Sequence, residues 1–195
     1  MKKLSKEEIS QKALKLFSEQ GYNNVTVNDI CDECGITKPT FYKYAGSKDE
    51  LILDLYDVTI HELITDPYHF ITSNTHCEQL IYIFTKLIRD TEKFGSDLFS
   101  QMLISNLNEN HNSFDFRESL TRLCVTIIEK AQEKGEIQNM NPPAVLYRSI
   151  AYMFSGYEMS WCIKNGETNW EEEILESIEA VLDVREEYRI SRKTE

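Results

Sequence analysis

Hydrophobic residues recur along this chain at intervals of three and four, the spacing of amphipathic helices rather than the alternation of strands. Between Lys6 and Gln20, Ile9, Ala13, Leu16 and Phe17 share one face, and Ser5 with Glu8 forms a capping box at its start. A second helix starts at Thr26, with Asp29 in the capping-box position and Val27, Ile30, Cys31 and Cys34 facing inward. Gly35 makes the turn that ends it. Thr37 then caps a short third helix, whose first turn accepts Pro39 because an N–H there would have no intrahelical partner. A longer fourth helix follows from Ser47, carrying Leu51, Leu55 and Val58 on one stripe.

Beyond Pro67 the periodic segments lengthen, and the pattern predicts helices over about 76–93, 95–108, 114–134, 142–165 and 169–187. Asn141-Pro142-Pro143 gives the fourth of these a firm start. Its main apolar stripe is Leu146, Ile150, Met153, Phe154, Tyr157 and Trp161, while Val145, Tyr152 and Met159 add apolar surface elsewhere and Gly156 permits close backbone approach. A helix apolar on more than one face must be covered on more than one side. The final helix brings Trp170, Ile174, Leu175, Ile178, Val181 and Leu182, so the last two helices are either half of a four-helix subunit interface or packing within one subunit. Gly21, Gly35, Gly46, Gly95, Gly135 and Gly166 each fall near the end of a helical segment. No Asn-Gly hairpin lies between alternating apolar runs. The fold class is all-α.

Composition changes this picture little. Apolar residues make up 41% and charged residues 28% of 195 positions, ordinary for a folded soluble chain. No run of apolar residues is long enough for a membrane span, and the polar, acidic N-terminus is unlike a secretory signal, so the cytoplasm is expected. The five cysteines are scattered and odd in number, which favours reduced thiols. Charge is more informative. The net charge is −12, yet residues 1–48 carry +2 and residues 49–195 carry −14. That asymmetry suits a nucleic-acid-reading head on an acidic body. It also disfavours an architectural DNA binder, whose affinity depends on neutralising phosphates.

Val25 to Leu51 is the most specific stretch: two short helices joined by a tight glycine turn, the arrangement of a helix-turn-helix that offers one helix to the DNA major groove. Its residues Thr26, Val27, Ile30, Gly35, Thr37, Thr40, Tyr42, Ser47, Lys48 and Leu51, with Ala13, Phe17, Gly21 and Tyr22 before them, resemble the TetR/AcrR family of bacterial transcription regulators. The spacing from Tyr42 to Lys48 is the strongest part of that likeness, which is specific over residues 5–60 and loose beyond. It departs at Ala45, where the family usually has Phe, and at Cys31 and Cys34, where it usually has Ala.

The resemblance implies a three-helix DNA-binding domain over 3–63 with its helix-turn-helix at about 26–45, and an effector-binding and dimerisation domain over 64–195. It further implies a ligand-responsive regulator, a repressor by family habit. Such a regulator binds a palindromic operator as a homodimer and is released by a small-molecule effector. The dimer would form through residues 142–165 and 169–187. The DNA-contacting candidates are Thr26, Thr37, Lys38, Thr40, Tyr42, Lys43, Tyr44 and Lys48, with Lys48 and Thr26 placed to meet phosphate. Phe84, Phe99, Met102, Phe116, Tyr147 and Phe154 are candidate effector-pocket residues, although each is also ordinary core material.

Cys31-x-x-Cys34 lacks a second pair or a nearby histidine, so packing is a better account than zinc or a thiol switch. His61, Glu62, Asp66 and His69 are metal-ligand types, but Pro67 interrupts their helix, and no metal or cofactor is expected. No G-x-G-x-x-G, P-loop, H-E-x-x-H or G-x-S-x-G is present, so the chain is not read as an enzyme. A helical protein-interaction or sensor module that keeps the scaffold without binding DNA is the alternative, and Ala45 is the residue that keeps it open.

Overall fold

A computed structural model describes residues 4–65, 67–110 and 117–190. Its described residues are 77% helical and contain no strand beyond an isolated antiparallel bridge between Ile137 and Val184. The helices are α1 (Lys6–Gln20), α2 (Val27–Cys34), α3 (Lys38–Phe41), α4 (Lys48–Thr65), α5 (Pro67–Thr72), α6 (His76–Phe94), α7 (Ser96–Asn108), α8 (Glu118–Lys134), α9 (Pro143–Ile163) and α10 (Trp170–Leu182). No helix among the described residues is long and apolar enough to cross a membrane. Three elements are new relative to the sequence pattern: the six-residue α5 and 3-10 turns over Tyr22–Asn24 and Glu186–Tyr188. All are too short to show a period of their own.

The chain forms two compact units. The first joins the described residues up to Thr59 with those from Thr91 through α7. Ser5 and Glu8 make the expected capping box, and Ile9, Ala13 and Phe17 bury the inner face of α1 against α2. Phe17 meets Tyr22 at 5.0 Å between ring centroids. Helix α7 contributes Leu98, Phe99 and Met102 to the buried set and contacts the Tyr22 turn. Leu55 and Val58, expected on the α4 stripe, have side chains outside the described set.

The second unit takes in residues from Ile60 to Asp90 and from Arg117 onward. Its centre is α9, which packs against both α8 and α10. Trp170 lies 5.9 Å from Trp161 and 5.5 Å from Phe154, whose ring is 5.8 Å from Phe84. Leu146, Ile150, Phe154 and Trp161 are buried, as are Trp170, Ile174, Ile178 and Leu182. So most of the apolar stripe on α10 is consumed inside the subunit, whereas Val145, Tyr152, Met159 and Ile163 on α9 stay exposed. His61 and Glu62 are exposed, His69 stacks on Tyr82 at 4.0 Å, and Asp66 lies outside the described residues. No group of three or more potential ligands is placed to hold a metal among the described residues.

One buried carboxylate ties this unit together. Glu136 accepts the Cys77 backbone N–H at 2.9 Å and lies 2.7 Å from His76 Nδ1, so a residue from beyond α8 closes the open N-terminus of α6. Its own carbonyl accepts from Arg185 N–H at 3.1 Å. Removing the carboxylate leaves the buried Cys77 N–H in the first turn of α6 without its acceptor. Glu136→Ala is therefore expected to cost about 2 kcal/mol of unfolding free energy, read by urea titration, while Glu133→Ala on the exposed face of α8 costs less than about 0.5.

Candidate nucleic-acid interface

The recognition segment is built from caps and a left-handed turn. Thr26 opens α2: its hydroxyl accepts from Asp29 N–H at 3.3 Å and donates to Asp29 Oδ2 at 2.6 Å, and that carboxylate accepts Thr26 N–H at 2.7 Å. The Thr26 side-chain bond, then the backbone one, holds the Asp29 carboxyl below its ordinary range. Gly35 ends α2 at φ 64°, ψ 35°, a conformation that any Cβ would strain, and Ile36 N–H returns to Cys31 O at 2.9 Å. Thr37 then starts α3. Its hydroxyl, 3.0 Å from that of Thr40, makes no capping bond to the backbone.

Helix α3 is anchored from below and open above. Phe41 is fully buried and meets Tyr42 edge-on at 5.4 Å, and Ala45 is buried beside the same turn. The smaller side chain at position 45 thus still lies in the core. Tyr42 is 55% exposed, and Thr37, Lys38 and Lys43 are exposed with it. Thr40 and Tyr44 are half-buried. Six of the eight expected DNA contacts therefore fall on one short segment, with four of them open to solvent.

Lys48 differs from the free phosphate contact that its charge suggests. Its ammonium donates to the carbonyls of Tyr22 at 2.8 Å and Val25 at 3.0 Å, and lies 3.8 Å from the centre of the Tyr22 ring. Two of its three N–H donors are committed, which leaves one for DNA. Burial alone pushes its pKa down. Lys48 is first a clamp that ties the start of α4 to the turn before α2. Sequence reading missed this because the partners are backbone atoms more than twenty positions away. It also missed Lys12, whose ammonium donates to the Glu33 carbonyl at 2.7 Å and satisfies the C-terminal end of α2 from α1.

Cys31 and Cys34 are both buried against this core, and desolvation, the leading cause, pushes each thiol up. Thiols held away from the thiolate are poor nucleophiles and poor metal ligands. Packing is what the geometry supports.

The five described effector candidates divide between the two units. Phe99 and Met102 are core residues of the first unit, Phe84, Tyr147 and Phe154 belong to the second, and Phe116 lies outside the described residues. Tyr147 is buried enough that its phenol is pushed up to about 12.

Residues 9–55, which span the whole of this clamp and turn, match the family model of the bacterial regulatory proteins, tetR family. Over that segment the chain is similar to the TetR family. The relatives that the chain matches are described as HTH-type transcriptional regulators. The chain is 42% identical over 60 residues to the HTH-type transcriptional regulator YuxN of Bacillus subtilis (strain 168), a match spanning 29% of this chain and 21% of that one. With the regulator YvaF of the same strain the identity is 25% over 179 residues, 89% of this chain and 91% of the relative. Among solved structures, FadR of Thermus thermophilus in complex with lauroyl-CoA has a TM-score of 0.72 at 21% identity, covering 93% of this chain and 97% of that one. FadR of Bacillus subtilis in complex with stearoyl-CoA has a TM-score of 0.64 at 14% identity, covering 89% and 96%. At these identities the likeness is one of fold.

Two outcomes follow from the geometry. Lys48→Ala should destabilise the protein by about 2 kcal/mol in chemical denaturation, whereas Lys43→Ala leaves stability within about 0.5 kcal/mol. An aromatic disulfide reagent should label the five buried cysteines in minutes only after unfolding in denaturant, with less than one equivalent reacting in the native state.

Proposed function

We propose that the protein is a cytoplasmic, ligand-responsive repressor that binds a palindromic operator as a homodimer. One observation carries the DNA reading. A four-residue helix is held from below by Phe41 while Tyr42, Lys38, Lys43 and Thr37 face outward. In this reading the head of residues 3–63 lays α3 in the major groove. Lys38 and Lys43 neutralise phosphates or meet guanine edges, and Tyr42 makes the largest apolar contact. Thr40, Tyr44, Thr26 and the remaining donor of Lys48 set the depth and register of the approach.

Regulation in this reading is a shift between dimer states. Recognition helices must lie about 34–36 Å apart to enter successive major grooves, so a ligand that prefers another separation releases DNA. A coupling of ~1–3 kcal/mol weakens binding about 5–150-fold. The body, residues 64–195, would hold the effector within the second unit near Phe84, Tyr147 and Phe154. The lauroyl-CoA and stearoyl-CoA complexes of the two FadR proteins make long-chain acyl-CoA the first class to test. Dimerisation uses the exposed outer face of α9 together with α10, where Leu175 and Val181 remain only half-buried.

The test is fluorescence anisotropy on the DNA upstream of the protein's own gene. Tyr42→Ala should weaken specific binding about tenfold or more. Lys38→Ala and Lys43→Ala should each lower the salt slope by about 1. Binding that is unaltered by all three changes would remove α3 from the interface. Acyl-CoA of ten to eighteen carbons should lower operator affinity. If none does while other small molecules do, the effector belongs to another class.

A further inference from the structure

Between α9 and the start of α10 lies a cavity of about 380 Å³. A volume of that order holds one small molecule. Phe84, Tyr147 and Phe154, proposed above to surround the effector, are not among its walls. Gly156 is one of them. It sits in the exposed row of α9 with Val145, Tyr152, Met159 and Ile163, mid-helix and with no unusual backbone angle. A Cβ built on it would meet nothing within 4 Å, so no packing inside the chain requires a glycine there. Glycine in a helix interior is destabilising relative to alanine. What a bare backbone offers at a cavity wall is close approach to a bound molecule.

The other walls divide by chemistry. Trp170 is 2% exposed and stacks on Trp161, and the Tyr157 hydroxyl is fixed at 2.9 Å from Ser177 Oγ. With Met153 these rings make an apolar side. The Trp170 indole N–H is buried without an acceptor among the described residues. The polar walls are Ser160, Lys164, Thr168 and Glu173. Their side-chain hydroxyls and charges have no partner among the described residues, and Lys164 and Glu173 do not pair with each other. A cation, an anion and two hydroxyls thus share one small hollow with an aromatic surface. A ligand with a negative charge alone leaves Glu173 unmatched, and one with a positive charge alone leaves Lys164 unmatched. A zwitterion matches both. It also brings no net charge toward a body that carries −14 over residues 49–195.

We propose that this cavity binds a free α-amino acid with an apolar side chain. Its carboxylate meets Lys164 and the hydroxyls of Ser160 and Thr168, and its ammonium meets Glu173. Its side chain lies against Met153, Tyr157 and Trp170, over the bare backbone at Gly156. A carboxylate oxygen is also the kind of acceptor that the Trp170 N–H lacks. The site needs neither the DNA contacts nor the dimer proposed above, so its test reads the protein alone and its failure leaves that reading untouched.

The chain has two tryptophans and both belong to this cluster, so their emission reports on the cavity. L-leucine and L-phenylalanine, titrated into the full chain, should each change that emission saturably, with calorimetry giving one site per chain. Lys164→Met and Glu173→Gln should each weaken binding about tenfold or more. Gly156→Leu should abolish binding by filling the space, with circular dichroism verifying the fold. N-acetyl-leucine and leucine methyl ester each lack one charge and should bind at least about tenfold more weakly than leucine. No binding of either amino acid up to about 10 mM would overturn the proposal. Binding that the folded variants leave unchanged would do the same, because the site would then lie elsewhere. Lys164 and Glu173 are exposed, so their variants decide the outcome even if Gly156→Leu does not fold. An analogue that binds as tightly as leucine would overturn the zwitterion as the ligand class.

Discussion

A helix of four residues has no stability of its own, because nucleating the first turn costs more than its few hydrogen bonds return. Everything about the DNA-reading segment follows from that constraint. Helix α3 exists because Gly35 turns the chain in a left-handed conformation, Phe41 is driven into the core, and the flanking elements are tied down. The Lys48 ammonium is the tie on the far side, joining the start of α4 to the carbonyls of Tyr22 and Val25. Lys12 plays the same part between α1 and the end of α2. Two cations hold backbone carbonyls, so the head is stapled by side chains whose charge suggests a surface role. The exposed positive charge around α3 accordingly rests on Lys38 and Lys43.

The second unit meets a related constraint in the opposite way. A helix as apolar as α9 needs cover on several sides. Inside the subunit α8 and α10 supply it through Phe154, Trp161 and Trp170, but one row is left outside. The unit closes at its other end through Glu136, which lends a buried carboxylate to the first turn of α6. Both units therefore use one residue distant in sequence to satisfy a helix end that local capping leaves open.

Several elements were legible from the chain because their causes are local. Ser5 with Glu8 and Thr26 with Asp29 make their capping boxes as their three-residue spacing requires. Gly35 takes the left-handed turn between α2 and α3, and Cys31 and Cys34 lie inward because helical spacing puts them on the face of Ile30. Tyr42 emerges exposed because it follows the buried Phe41 on a tight turn. By contrast, six scattered aromatic and methionine positions could not be sorted into one pocket. For the five described ones the unit that each helix joins decides the surroundings, and α7 joins the first. Ala45 looked like a break in the family pattern and proves to be a buried core position.

What the sequence determined by itself was the all-α class and the helix-turn-helix, because capping, period and turn chemistry act over a few residues. What only the tertiary structure decided was the use of individual side chains. Lys48 became a clamp, most of the apolar stripe on α10 became internal packing, and the row through Gly156 was left open. Those outcomes depend on which backbone carbonyl or helix face a residue meets from far along the chain. No local spacing encodes that meeting, since it is set by how whole helices pack to bury their apolar faces.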